Sequence, residues 1–160
     1  MAVDMFLKLD GIAGESKDKA HAGEIHIESF SWGMSQTGAH GAGGGGGAGK
    51  VSVHDISITK LTDKSSCTLM ASLASGKHIK DGLITVRKAG EKPLEYLKIK
   101  LTDILISSYQ TAGHGGSDLL TENFTINFAK VQVDYQEQKP DGSGSPAGAF
   151  GWDVKANSKV

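Results

Sequence analysis

Four segments of this chain alternate apolar and polar residues, and each reverses its phase once part way along. Ile25 and Ile27 share one parity, whereas Phe30, Trp32 and Met34 take the other. Val51 and Val53 give way likewise to Ile56 and Ile58, Leu97, Ile99 and Leu101 to Ile104 and Ile106, and Phe124, Ile126 and Phe128 to Val131, Val133 and Tyr135. A period of two marks strands with one buried face, and one extra residue sends the next apolar set to the opposite face unless a bulge bends the strand to absorb it. Reversals near Glu28, His54, Asp103 and Ala129 therefore predict bulges or sharp bends in long strands that form a closed or nearly closed barrel. A sharp crossing in which the two halves of each strand face different partners gives the same pattern.

The rest of the chain fits around those strands. Met5, Leu7 and Leu9 form a first strand ending at Gly11, and GESKDKAH follows as an exposed charged loop. Cys67, Met70, Ala71 and Ala74 recur at helical spacing, with Asp63 or Ser65 to cap the helix and Gly76 to stop it. Gly82 to Lys88 and Leu94 to Tyr109 read as a hairpin around the turn AGEKP. Residues 38–49 form a glycine-rich extended loop, and residues 139–149 a flexible linker to a terminal strand anchored by Phe150 and Trp152. In FSWGMSQ, Phe30, Trp32 and Met34 are expected in the core, which leaves Ser31, Gly33 and Ser35 on an outer face without bulk or charge.

A chain of 160 residues fits one domain, 1–160, with a core large enough to need no cross-link. The single Cys67 has no internal partner and is expected as a small core residue of the helix. A formal charge of -1 provides no field for nucleic acid or acidic lipid. No run approaches the ~20 apolar residues that span a bilayer, so membrane insertion is not expected. Asp4 interrupts the only apolar run of the amino terminus, which argues against a cleaved secretory signal and for synthesis ending in the cytosol.

Candidate chemistry is thin. Gly44 to Lys50 matches seven positions of a phosphate-binding loop, but Val51 stands where Ser or Thr must hold magnesium, and a strand pattern follows where a helix is needed. Glu24, His26 and Glu28 alternate on a strand without a second cluster at ligand spacing. Ser16 with Lys19 and Ser57 with Lys60 meet the S-x-x-K spacing without its companion motifs. No catalytic residue, cofactor site or metal site is assigned, and the chain reads as a non-enzyme.

In order and spacing, MAVDMFLKLDGIAGESKDKAH, SFSWGMSQTG, GKVSVHDISITKLTDKSS, LITVRKAG, LEYLKIKLTDILISS, TENFTINFAKVQVDYQ and GWDVKANSKV resemble the haemolysin-coregulated protein (Hcp) family, the tube subunits of bacterial type VI secretion systems. The resemblance spans nearly the whole chain. It implies a β-barrel of two sheets with one flanking helix, assembled into a hexameric ring, the rings stacking into a hollow tube inside a contractile sheath on its baseplate. A VgrG spike would tip the tube, and effectors would travel in it or with it. Export would run in one step from the cytosol to the extracellular space or a target cell. In that frame Ser31, Gly33 and Ser35 become a candidate lumen face. Thr37, Gly38, His40, Gly43, Gly44, Gly45, Gly46, Gly47 and Gly49 become a ring-stacking arm, because glycine lets backbone approach backbone. The rival reading is a monomeric β-barrel that binds a ligand at a rim built from His114 and its neighbouring glycines.

Overall fold

A computed structural model describes residues 2–38 and 49–160. Strand β1 (Val3–Leu9) lies between β2 (Ile25–His26) and β7 (Ile79–Lys88). Strand β8 (Leu94–Ala112) joins β7 to β9 (Thr121–Gln138), and β9 also pairs with β6 (Ile56–Leu61). Strand β3 (Ser29–Ser31) pairs with β6, and β4 (Met34–Ser35) with β5 (Ser52–Val53) in a separate ribbon. All these pairings are antiparallel.

Following the ladders closes a circuit: β1, β7, β8, β9, β6, β3, and back through β2 to β1. The last link is covalent. The Ile27 N–H donates to Met5 O of β1 at 3.0 Å, while the next amide, Glu28, donates to Thr59 O of β6 at 2.8 Å. The chain changes partner between these two residues, which is where its apolar phase reverses. The reversal near His54 falls between β5, on the small ribbon, and β6, in the barrel. On β8 the reversal is a local distortion at Asp103, whose φ of 55° lies in the left-handed region. Asp103 and Ala129 face each other unpaired between Thr102↔Lys130 and Ile104↔Phe128, so the ladder is interrupted at the same level on both strands and their register is kept. Ala129 O is occupied from outside the ladder, by the Val154 N–H at 2.8 Å. Further bulges fall between Ile106 and Ser108, between Pro146 and Gly148, and where β7 meets β8 beside Val86 and Arg87.

The barrel is filled by Leu7, Ile25, Ile27, Ile56, Ile58, Ile84, Leu101, Ile104, Phe124, Ile126 and Val131, all essentially inaccessible to solvent. Phe30 and Trp32 pack against this core as expected, but Met34 is 43% exposed. It stands on the β4–β5 ribbon, where its register partner Val53 packs against the core and Met34 itself stays open to solvent.

Helix α1 (Ser66–Ser75) ends as expected at Gly76, whose φ of 64° lets its N–H reach Leu73 O while Lys77 N–H reaches Ser72 O. Its rotation differs from the expectation. Ser66, Leu69 and Ser72 are buried, with Leu73 against the core, whereas Cys67 and Met70 are exposed. The side that docks carries Leu69 and Leu73 one turn apart, with Ser66 bonded to the buried Glu122. Residues 139–149 also differ, being no flexible linker. Lys139 and Ser143 close a tight turn, and β10 (Gly144–Asp153) pairs along β9 out to Lys130, followed by β11 (Ser158–Lys159). Ladder bonds are made by the backbone, so a run of small residues can form them, with the register shifting between Pro146 and Gly148.

Candidate functional site

In β3, β6 and the first half of β9 every second side chain enters the barrel: Phe30, then Ile56, Ile58 and Lys60, then Glu122, Phe124, Ile126 and Phe128. The side chains between them form the outer surface. The register aligns these in rows, Ser31–Ser57–Thr125–Ser108 and Ser29–Thr59–Asn123–Gln110, one residue from each of four neighbouring strands. All eight are small or medium, polar and uncharged, and five of them, Ser57, Thr59, Asn123, Ser108 and Thr125, bond to one another. Asn123 Nδ2 donates to Thr59 Oγ1 at 3.1 Å and to Ser57 Oγ at 3.3 Å, and the Ser108 and Thr125 hydroxyls meet at 2.6 Å. At one margin Asp55 accepts from Ser107 Oγ at 2.6 Å and from Asn127 Nδ2 at 2.9 Å.

The outer surface of the other half of the barrel is chemically different. There β1, β7, β8 and the second half of β9 present Asp4, Lys8, Arg87, Lys98, Lys100, Lys130 and Asp134. The same barrel thus carries one neutral wall and one charged wall.

Ser31 belongs to the neutral wall, and Gly33 and Ser35 continue its strand outward on the ribbon. They meet His54 there: its N–H donates to Gly33 O at 3.1 Å, its Nε2 lies 3.1 Å from Ser35 Oγ, and its carbonyl accepts from Trp32 Nε1 at 3.0 Å. At the root of the glycine-rich arm, Gln36 Nε2 donates to Gly49 O at 2.9 Å, and a β-carbon on Gly49 would lie 2.9 Å from Thr37 Oγ1. Thr37 and Gly38 are exposed there. His40, Gly43, Gly44, Gly45, Gly46 and Gly47 lie outside the described residues. His114, the rim residue of the rival reading, is exposed and folds onto its own loop, its Nδ1 accepting from Gly116 N–H at 3.2 Å.

Two charged clusters carry no signature in the alternation. Lys60 and Glu122 stand at inward positions of paired strands and are wholly buried. Lys60 Nζ donates to Leu61 O and Asp63 Oδ1, each at 2.9 Å, and to Glu122 at 3.4 Å. Glu122 also accepts from Ser66 at the start of α1 and from Tyr109 Oη at 2.6 Å. Burial, with the carboxylate beside it, pushes the Tyr109 phenol well above its usual range. Among the described residues no group of three acidic, His or Cys side chains is disposed to hold a metal ion, and this cluster is a structural pin between helix and barrel. The second cluster, around His21 and Arg87, lies beneath residues 12–24 on the charged wall. Arg87 grips Asp18 with two bonds, of 3.0 and 2.6 Å, and the bonded guanidinium holds the Asp18 carboxyl down at about 2.

Residues 6–135 match the family model described as type VI secretion system effector, Hcp. The chain is 56% identical to protein Hcp1 of Pseudomonas aeruginosa, an alignment that covers 98% of both chains. Among solved structures it superposes on a type six secretion system protein with a TM-score of 0.94, at 27% identity over 99% of this chain and all of that one. It superposes on Hcp1 of Salmonella typhimurium with a TM-score of 0.79, at 33% identity over the whole of both chains. With one family model covering most of its length and a curated relative sharing more than half of its residues, this chain belongs to the Hcp family of type VI secretion proteins.

Proposed function

We propose that this chain is the repeating subunit of a type VI secretion tube and that its neutral wall faces the bore. The observation that carries the second half is the grid of Ser31, Ser57, Thr125 and Ser108 beside Ser29, Thr59, Asn123 and Gln110. A channel that passes proteins of varied charge needs a lining that neither attracts one sign nor offers apolar purchase. Hydroxyls and amides already bonded to one another meet that requirement. The charged wall and the open ends are left for contact with neighbouring subunits and sheath.

In this reading six copies close head to tail into a ring, rings stack through the arm rooted at Thr37, Gly38 and Gly49, and a VgrG spike caps the stack. The subunit waits in the bacterial cytoplasm on its baseplate and leaves with its effectors when the sheath contracts. Its work is mechanical, and it needs no cofactor. A monomeric ligand binder is the competing class, and oligomeric state separates the two.

Cysteine labelling tests the orientation. In a Cys67→Ser background, Ser57→Cys in assembled rings should react with a small maleimide and resist a polymer-linked one too wide for the bore. Lys100→Cys, on the charged wall, serves as the comparison. Equal polymer labelling at Ser57 and after ring dissociation would turn the neutral wall outward, and light scattering that finds monomer alone would remove the ring.

A further inference from the structure

The connection from Ile12 to Glu24 is bound to the outside of the barrel at four places. Gly14 sits so close to the Glu24–Ile25 backbone that a β-carbon there would lie 2.4 Å from Glu24 O. Glu15 accepts from the Lys64 N–H, before helix α1, at 2.7 Å. Asp18 is gripped by Arg87. The fourth attachment is His21, which is only 7% exposed although its neighbours Ala20 and Ala22 are open to solvent. Its ring lies 4.3 Å from that of Phe6 and nearly parallel to it. Nδ1 stands 2.8 Å from Glu24 Oε2 and Nε2 stands 2.7 Å from Glu95 Oε1, so the imidazole bridges the connection to strand β8.

An ionised carboxylate only accepts, and an imidazole donates from both nitrogens only when it carries two N–H protons. With one proton fewer, a ring lone pair faces a carboxylate oxygen across a partly buried contact. Every neighbouring element adds to the balance. The connection supplies Glu24 and Asp18, β1 supplies Asp4, β7 supplies Arg87 lying 5.1 Å from the Phe6 ring, and β8 supplies Glu95 and its partner Lys98. His26 of β2 stands at the edge of Phe6, 5.8 Å away.

We propose that residues 12–24 form a proton-operated latch: His21 as imidazolium clamps the connection onto Glu95 and Phe6, and loss of that proton to solvent releases it. The sign follows from the donors. The closed form uses both ring N–H groups as donors to carboxylates, so closure needs the doubly protonated ring and is lost once solvent removes one of those protons. Acid release lies lower still. Burial raises the Glu95 carboxyl, but hydrogen bonds from His21 and Lys98 outweigh this and hold it below its ordinary range. Opening would uncover Phe6 and the buried Thr85 beside it on β7.

Hydrogen exchange on the assembled protein, corrected for the intrinsic rate, tests the latch. Protection of the amides of residues 14–24 should fall roughly tenfold or more between about pH 5.5 and about pH 8.5, the scale set by one hydrogen bond to a charged group. The β1 and β7 ladder amides should stay protected throughout and thereby report an intact fold. Glu95→Gln supplies an amide that can donate to a neutral ring or accept from a charged one, so it should keep the protection and abolish its pH dependence. His21→Gln should lose protection at every pH. A wild-type response that is flat across this range, or a response that persists in Glu95→Gln, overturns the proposal.

Discussion

Lys60 shows what a pattern of apolar and polar positions conceals. It follows Ile56 and Ile58 at the same inward parity and is as inaccessible as they are, because Asp63, Glu122 and the Leu61 carbonyl take up its ammonium protons. Nothing in the order of apolar residues announces such a pair, since its members lie on different strands and meet only through register. Removing one member strands the other in the core. Lys60→Met should therefore cost about 3–5 kcal/mol of stability, and Lys60→Met with Glu122→Leu should recover a large part of it, as read by denaturant unfolding. The Asp18–Arg87 pair predicts a pH effect. Asp18 titrates near 2, against an ordinary 3.8, so its contribution is present above that ordinary value and fades as pH falls toward 2. Arg87→Gln should return the Asp18 carboxyl titration to near its ordinary position, which carboxyl-detected NMR reads directly. His21 was equally hidden: GESKDKAH suggests an exposed loop, and only the fold reveals Phe6 and Glu95 waiting beneath its last residue.

Strands and their breaks were readable because the signal comes from the core itself. A residue that reverses parity must either bulge, as at Asp103, or hand the chain to another partner, as at Ile27 and Glu28. The helix was readable in its ends and misleading in its facing. Spacing alone gives Cys67, Met70, Ala71 and Ala74 the same standing as Leu69 and Leu73, and only the fold shows that the leucine side docks. Leu69→Ala should cost about 2–5 kcal/mol, whereas Met70→Glu should leave the unfolding midpoint of the isolated subunit nearly unchanged. Equal losses would mean that the outward side is packed. Of strand β10 only the end around Phe150 and Trp152 was readable, because the small side chains before it provide no alternation while their backbone pairs with β9. The outward rows were half visible. Reading Ser57, Thr59, Asn123 and Thr125 at the parity opposite to their apolar neighbours would have extended the Ser31 face over four strands.

At the scale of the molecule, two walls of opposite character leave the glycine-rich arm as an addition to the barrel. The Gln36–Gly49 bond closes its root, so replacing residues 39–48 by a tight turn should leave the barrel's stability and single rings intact. Long tubes and secretion should be lost if the arm joins ring to ring, and normal tubes in electron micrographs from that variant would make it a passive connection. The circuit itself has an uneven strength. β8 and β9 are zipped together from Leu97↔Tyr135 to Ala112↔Thr121, but the closing link holds β1 only through Phe6↔His26, Leu7↔Ile25 and the Ile27 amide. A cylinder with one short seam carries axial thrust along its long ladders yet splits along the seam when pried open from the side. A barrel that must finally be dismantled offers a defined place, between Ile25 and Ser31, at which to begin.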